Sequence, residues 1–201
     1  FEEAAELVAN GAKILHPATI KPALEAGIPV TVRSILEPDG LFTTIKPDVS
    51  SGKSVVALAM RREVAIISVR QELMTDQAGF LARLFAAFGR LGVSVDLVAT
   101  SEICVSVSLD MAAPLERLAV ELGELGRVDI IRNRAVIAVV GDMLRRTPTL
   151  VRMTFDALGD IDVDMVSMGA NDINLSLVLS GEDGTEALKR LHAAFFQGAG
   201  T

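Results

Sequence analysis

Asp96 is the side chain in this sequence best placed to do chemistry. It lies in Val93-Ser94-Val95-Asp96-Leu97, where apolar and polar residues alternate as they do along a strand. Upstream, Phe80, Leu81, Leu84, Phe85 and Phe88 fall at helical spacing and make one apolar stripe. One face of each element is committed to a core. The polar strand residues then point away from that core, which sets Asp96 near residues 74–78 and the first free backbone amides of the helix. A carboxylate beside a helix N-terminus suits a zwitterionic amino acid: the amides and the positive end of the dipole receive its carboxylate, and Asp96 receives its ammonium. The plainer alternative is a solvated strand aspartate beside an ordinary helix start, and most exposed aspartates bind nothing.

The elements that must position Asp96 read as strand 64–70, helix 80–89, strand 93–100, strand 103–110, helix 114–123 and strand 128–133. This βαββαβ order is a ferredoxin-like unit of the α+β class. It recurs at a constant offset of seventy residues: Ile67 falls on Ile137, Phe85 on Phe155, Gly89 on Gly159, Val93 on Val163, Ser106 on Ser176 and Leu118 on Leu188. The second copy starts at Ala135 and ends after its second helix, near Phe196, so it lacks a final strand. The spare run Val55 to Met60 is expected to close that sheet, which inserts the first unit into the second. The charged trio Arg61-Arg62-Glu63 is expected to turn or bend the chain between two strands. Asp96 corresponds to Val166, Gly79 to Thr149 and Ala78 to Pro148. One module therefore carries the strand acid and its twin only the scaffold.

Before the repeats, residues 2–15 have helical character ended by His16-Pro17, a second helix spans about 18–26 up to Gly27, and 28–32 reads as a buried strand. Residues 34–53, with Pro38, Gly40, Pro47 and Gly52, read as an irregular connection and a domain boundary. The divisions expected are 1–47, a linker and closing strand 48–63, a first unit 64–133 and a second 134–201. A chain that opens on Phe1 inside a helix-like run is expected to be a piece of a longer polypeptide.

A formal charge of -7, and the absence of Trp and Tyr, argue against a nucleic-acid partner, because phosphate binding rests on Lys and Arg and single-strand binding on stacking rings. No apolar run is long enough to span a bilayer and no charged leader precedes one, so no membrane partner and a cytoplasmic location are expected. Cys104, between Ile103 and Val105, reads as a buried reduced thiol. His16 reads as a packing or capping residue and His192 as half exposed; with Cys104 they are too scattered to bind metal. Asp160, Asp162 and Asp164 lack the glycine and terminal glutamate of a calcium loop and read as a solvated turn. Arg61-Arg62 and Arg145-Arg146 read as solvated turns too, either one able to contact a missing domain.

Two segments carry a resemblance to a known family. FEEAAELVANGAKILHPATIKPALEAGIPVTVRS resembles the end of the catalytic domain of aspartate kinases, through its GAK-[VI]-LHP-x-T motif. ALAMRREVAIISVRQELMTDQAGFLARLFAAFGRLGVSVDLVATSE resembles the first of that enzyme's two regulatory ACT domains, and its GFLA and SVDLVATSE wording is similar to the lysine-sensitive monofunctional class. The resemblance implies tandem ACT units, one set within the other, that bind an end-product amino acid and restrain ATP-dependent phosphorylation of aspartate. It carries effector contacts over to Met74, Gln77, Gly79, Phe80, Leu81, Ser94, Val95, Asp96, Thr100, Ser101 and Glu102. Lysine is the implied effector and threonine the alternative; pairing into at least a homodimer through the ACT units, and contact with the missing kinase domain, are implied as well. A structural dimerisation module without effector binding is the reading from another class. Gln77 stands where a small hydroxyl residue belongs in the lysine-sensitive pattern, and Leu36 where the related catalytic pattern often has Lys. The phosphate-binding N-terminal segment is not in the chain, so no cofactor is expected within it; ATP and Mg are implied only for the complete enzyme.

Overall fold

Two long strands, β3 (Ala57–Arg70) and β6 (Arg127–Val140), run antiparallel through the middle of a six-stranded sheet. The computed structural model describes residues 1–12, 16–47, 54–71, 78–141, 144, 147–169 and 172–197. Each long strand serves both repeats. The end of β3 pairs with β5 (Cys104–Asp110) and the start of β6, and β4 (Val98–Thr100) joins the outer side of β5. At the other end of the sheet, β8 (Asn174–Ser180) lies between β6 and β7 (Val163–Met168), giving the order β4-β5-β3-β6-β8-β7. Ala57 to Met60 pair with Val140 to Ile137, so the run expected to close the second repeat does so. The two repeats thus form tandem ferredoxin-like units with the first set inside the second.

The charged trio makes no turn. Residues 61–63 lie inside β3, where the register shifts and Glu63 takes a left-handed φ of 59°. Seventy residues on, Asn133 does the same in β6 at 56°. The carbonyls of both accept matching hydrogen bonds of 2.8 Å, from the amides of Met111 and Gly181. A bulge inserts one residue and so exchanges the two faces of everything beyond it. In β3, Leu58 and Met60 pack in the second repeat's core, whereas past the bulge the odd-numbered Ala65, Ile67 and Val69 pack in the first. In β6 the change is from Val128 and Ile130 to Ala135, Ile137 and Val139.

Because of this exchange, all four repeat helices sit on one face of the sheet. In the first repeat, α3 (Phe80–Arg90) and α4 (Leu115–Gly123) bury Phe80, Leu84, Phe88, Leu118 and Leu122 against β3 and β5. α5 (Pro148–Leu158) and α6 (Gly184–His192) bury Leu150, Leu158, Ala187 and Leu191 in the same way, and a π-helical turn, Ala193–Gln197, follows α6. Leu118, Leu122 and Ile137 are 0% exposed, each stabilising the fold by about 1.5–3 kcal/mol relative to exposure.

The opposite face curls. β4 and β7 lie at opposite edges yet approach each other, and Leu97 and Ala99 meet Met165 and Val178 above Val64, Ile66 and Val136. α1 (Glu2–Ala9) lies on this same face, with Leu7 packed on Ala59, Ala138 and Val140. It ends at Asn10, earlier than the helical character to residue 15 implied, and residues 13–15 lie outside those described. α2 (Pro17–Glu25) follows, its first turn capped by the His16 carbonyl accepting from the Thr19 amide at 2.8 Å, while the His16 side chain is exposed.

Three expectations need correction here. The strand at 28–32 shortens to β1 (Val30–Val32) and is not buried, because its one strand partner is the equally exposed β2 (Thr43–Ile45). β2 itself lies in the segment expected to be irregular. Cys104 is half-buried, since as the first residue of β5 it pairs with Arg70 at the open end of the sheet.

The bulge at Glu63 yields a stability test. Glu63→Gly exchanges left-handed strain for chain entropy of similar size and is expected to leave stability within about 0.5 kcal/mol. Glu63→Val places a branched side chain at that φ and is expected to cost roughly 1–2 kcal/mol, read as a lower urea midpoint at unchanged slope.

Candidate functional site

Ser108 sets the position of Asp96. It is 0% exposed at the middle of β5; its carbonyl accepts the Asp96 amide at 2.9 Å, its hydroxyl accepts the Leu97 amide at 3.1 Å, and its own amide donates to the Leu97 carbonyl at 2.9 Å. Regular strand geometry begins only at Val98, so the expected strand 93–100 is shorter than its alternation implied. Asp96 meets Arg61 of β3, whose Nη2 donates to Oδ2 at 2.6 Å. The two side chains are 29% and 25% exposed. Arg61 Nε is buried with no hydrogen-bond partner, so the guanidinium meets the carboxylate at one point and not as a two-pronged fork.

This pair forms part of the wall of a cavity of about 540 Å³, bounded by α1 and the edges of β4 and β7. Its polar lining includes Glu6, Asn10, Ser167 and Asn174. Asn174 Nδ2 donates to Glu6 Oε2 at 2.7 Å, which ties α1 to β8 at the rim, and Asn10 Nδ2 donates to the Glu6 carbonyl at 2.8 Å within the end of α1. The volume lies within the ~300–1,000 Å³ usual for small-molecule sites. Apolar walls come from Val95, Leu97, Val98 and Met168.

The remaining expected site residues divide into two groups. Gly79 begins α3 with φ 80°, a left-handed conformation that suits glycine, and no side chain caps the helix. Phe80 is buried in the first repeat's core, while Leu81 is exposed. Thr100, Ser101 and Glu102 are exposed in the β4–β5 turn, where the Ser101 amide donates to the Cys104 carbonyl at 2.8 Å and the Gln71 amide to the Ile103 carbonyl at 2.9 Å. That turn stands at the end of β3 from which the chain leaves for α3. Asp96 and Val95 belong to the cavity instead, with Ser94 exposed beside them. No residue of α3 lines the cavity, so the carboxylate and helix start expected side by side do not share it. Met74 and Gln77 lie outside the described residues.

Residues 137–195 match the ACT domain family. The whole chain is 34% identical over 209 residues to Aspartokinase 3, chloroplastic, of Arabidopsis thaliana, covering 98% of this chain and 37% of that protein. It is 33% identical to the lysine-sensitive aspartokinase 3 of Escherichia coli, covering 98% of this chain and 46% of that one. The chain is homologous to the aspartokinases. It spans less than half the length of these relatives. Among solved structures, E. coli aspartokinase III in complex with aspartate and ADP superposes with a TM-score of 0.84 at 31% identity, over 97% of this chain and 45% of that one. The same enzyme in complex with lysine and aspartate gives 0.81 at 33% identity, over 96% and 45%. Clostridium acetobutylicum aspartate kinase, at 22% identity and a TM-score of 0.89 over 96% and 47%, shares the fold.

Within these aspartokinase-like ACT repeats, sequence reasoning missed Arg61 and Ser108. Both were detectable as breaks in the repeat: Arg61 falls on Ile131 and Ser108 on Val178, polar residues where the twin is apolar. The acidic turn also differs from expectation. Asp160 accepts from Arg190 Nη1 at 2.7 Å and Asp164 forms an ion pair with Arg134, 2.8 Å from Nε to Oδ2, so these two carboxylates turn to different arginines. Arg62 is no solvated turn residue either, since it donates to Thr185 and the Gly181 carbonyl. Arg145 and Arg146 lie outside the described residues. His192 is exposed, its ring 5.1 Å from that of Phe196. Among the described residues no cluster of His, Cys, Asp and Glu is arranged to hold a metal ion, and no helix is long and apolar enough to cross a membrane.

The Arg190 hydrogen bond, helped by the backbone amide of Asp160 and by the guanidinium charge, holds the Asp160 carboxyl below its ordinary value. A lowered pKa contributes stability above the unfolded value that is lost as pH falls through the folded one. NMR titration is expected to find the Asp160 midpoint below the ordinary aspartate value, and Arg190→Gln to raise it toward that value.

Proposed function

We propose that this chain is the regulatory, end-product-sensing region of an aspartate kinase, and that its first ACT repeat binds lysine. The observation that carries the reading is the asymmetry at Asp96: a partly exposed carboxylate in a polar cavity, at a position where the second repeat has Val166. The lysine-sensitive relative and the lysine complex of E. coli aspartokinase III favour lysine over threonine. Of the contact set carried over from the family, Val95 and Asp96 line this cavity with Ser94 beside them; Gly79, Phe80, Leu81 and Thr100 to Glu102 do not line it, and Met74 and Gln77 lie outside the described residues. Aspartate phosphorylation, with its ATP and Mg, belongs in this reading to the part of the enzyme outside this chain. A cytoplasmic location is part of the same proposal.

Exposed apolar residues support two partners. Leu81, Phe85, Val98 and Ile103 are 36–45% exposed along α3 and the free edge of β4, a surface suited to a second copy of the repeat. Ile35, Leu36 and Leu41 are more than 90% exposed beyond β1 and would be covered by the catalytic part. An effector restrains such an assembly only through its preference for the inactive arrangement; a tenfold preference corresponds to about 1.4 kcal/mol.

A structural module without effector binding is the rival, and the pairing of Asp96 with Arg61 favours it, since the acid already has a cation. Calorimetric titration with lysine, threonine, methionine and aspartate separates the two. Saturable lysine binding that Asp96→Ala abolishes is the expected result; threonine binding alone would change the effector, and no binding by a folded dimer would leave the structural module. Phe85→Glu is expected to lower the mass seen by light scattering from dimer to monomer while leaving the circular dichroism unchanged.

A further inference from the structure

Arg61 is the cation that Asp96 already holds. It belongs to the part of β3 that closes the second repeat's sheet, yet it reaches Asp96, the acid of the first repeat. The pair has the features of a contact that can be exchanged. It is made through a single N–H at 2.6 Å, and Arg61 Nε has no partner, so four of the five donors of the fork lie outside this bond. Both side chains are about a quarter exposed and border an open cavity rather than packed core. Arg134 of β6 also has an Nε without a hydrogen-bond partner, but its ion pair is with Asp164, which does not line the cavity. The cavity is also lined by Glu6 of α1, a second carboxylate, which accepts from Asn174.

We propose that Arg61 is a built-in competitor for the effector's ammonium: the ligand binds by displacing the guanidinium from Asp96, and the released Arg61 turns into the cavity walled by α1. This rests on the sensor reading above. It makes Arg61 a positioning residue that sets affinity from the wrong side, opposing the ligand it helps to detect. It also gives the two repeats and α1 a shared charge whose location depends on occupancy. Asp96 exchanges one cation for another and remains paired throughout. Only the place of the arginine changes.

The test is calorimetric titration of the whole chain with L-lysine, in wild type, Arg61→Gln, Arg61→Lys and Asp96→Asn, each checked for native circular dichroism. Removing a competitor worth about 1 kcal/mol tightens binding about fivefold, so Arg61→Gln is expected to bind lysine about five times more tightly than wild type. Arg61→Lys keeps the charge with weaker geometry and is expected to fall between the two, which preserves the test if the glutamine variant does not fold. Asp96→Asn is expected to lose binding. A residue that merely supports the fold would weaken the ligand when replaced, so the direction of the change decides. If Asp96→Asn loses binding while Arg61→Gln binds lysine equally or more weakly, the competition is overturned and the sensor reading stands. If neither wild type nor Arg61→Gln binds any of the amino acids, the sensor reading falls and the competition with it.

Discussion

A strand that serves two repeats in succession must present a core face to each, and strict alternation lets it do so on the same side only if the registers agree. In β3 they do not, because the first repeat's core takes odd-numbered residues and the second's takes even-numbered ones. The extra residue at Glu63 reconciles them, and Asn133 does the same for β6. Without both bulges, one pair of helices would lie on the opposite face of the sheet. The two repeats would then lose their shared inner surface, and with it the apolar cluster of Val64, Ile66, Val136, Met165 and Val178.

That inner surface is where the chain's polar groups gather. A bulge strengthens local twist, and two of them side by side in the central strands accompany a sheet whose edges β4 and β7 curl toward each other. The gap left between those edges is capped by α1 and becomes the cavity. Arg61 lies on β3 just before the Glu63 bulge, beyond the last β5 pairing at Val64, so no strand covers it on that side. Asp96 reaches it because Ser108 takes the Leu97 amide with its hydroxyl and holds the chain before β4. Helix packing on one face thus determines the geometry of the polar site on the other.

Much of this was legible from residue pattern. The seventy-residue offset and the missing final strand led to Val55 to Met60 as the closing segment, because an unpaired sheet edge needs a partner whatever its side chains are. The helices of both repeats followed from apolar spacing. The bulges were not legible, since neither Glu nor Asn by itself announces a positive φ within an otherwise apolar strand. The strand expected from Val93 was overcalled because alternation alone does not reveal that a buried serine hydroxyl has taken a backbone amide. β2 was missed because three residues carry too little pattern to stand out from a Pro- and Gly-containing stretch. At the site, Asp96 was legible as an acid without a twin, but its partner Arg61 was hidden among charged residues read as a turn. The comparison that would have exposed it is the same one that singled out Asp96: a polar residue whose counterpart seventy positions on is apolar.

The strength of the Arg61–Asp96 contact bears on what the cavity can do. A fully buried, forked ion pair costs about 3–5 kcal/mol to break by removal of one partner, and a ligand supplying one ammonium would not compete with it. An exposed pair is worth about 0–1 kcal/mol and leaves the acid nearly free, so its arginine would carry no information about occupancy. The observed pair lies between these limits, at a quarter exposure and with a single hydrogen bond. The second repeat, with Val166 in place of the acid, has nothing to exchange at the corresponding position and contributes walls instead, through Ser167, Met168 and Asn174. Duplication thus places the acid in one half of the sheet and part of the cavity wall in the other. The division requires the two halves to differ where one has Asp96 and the other Val166, while sharing the central strands β3 and β6.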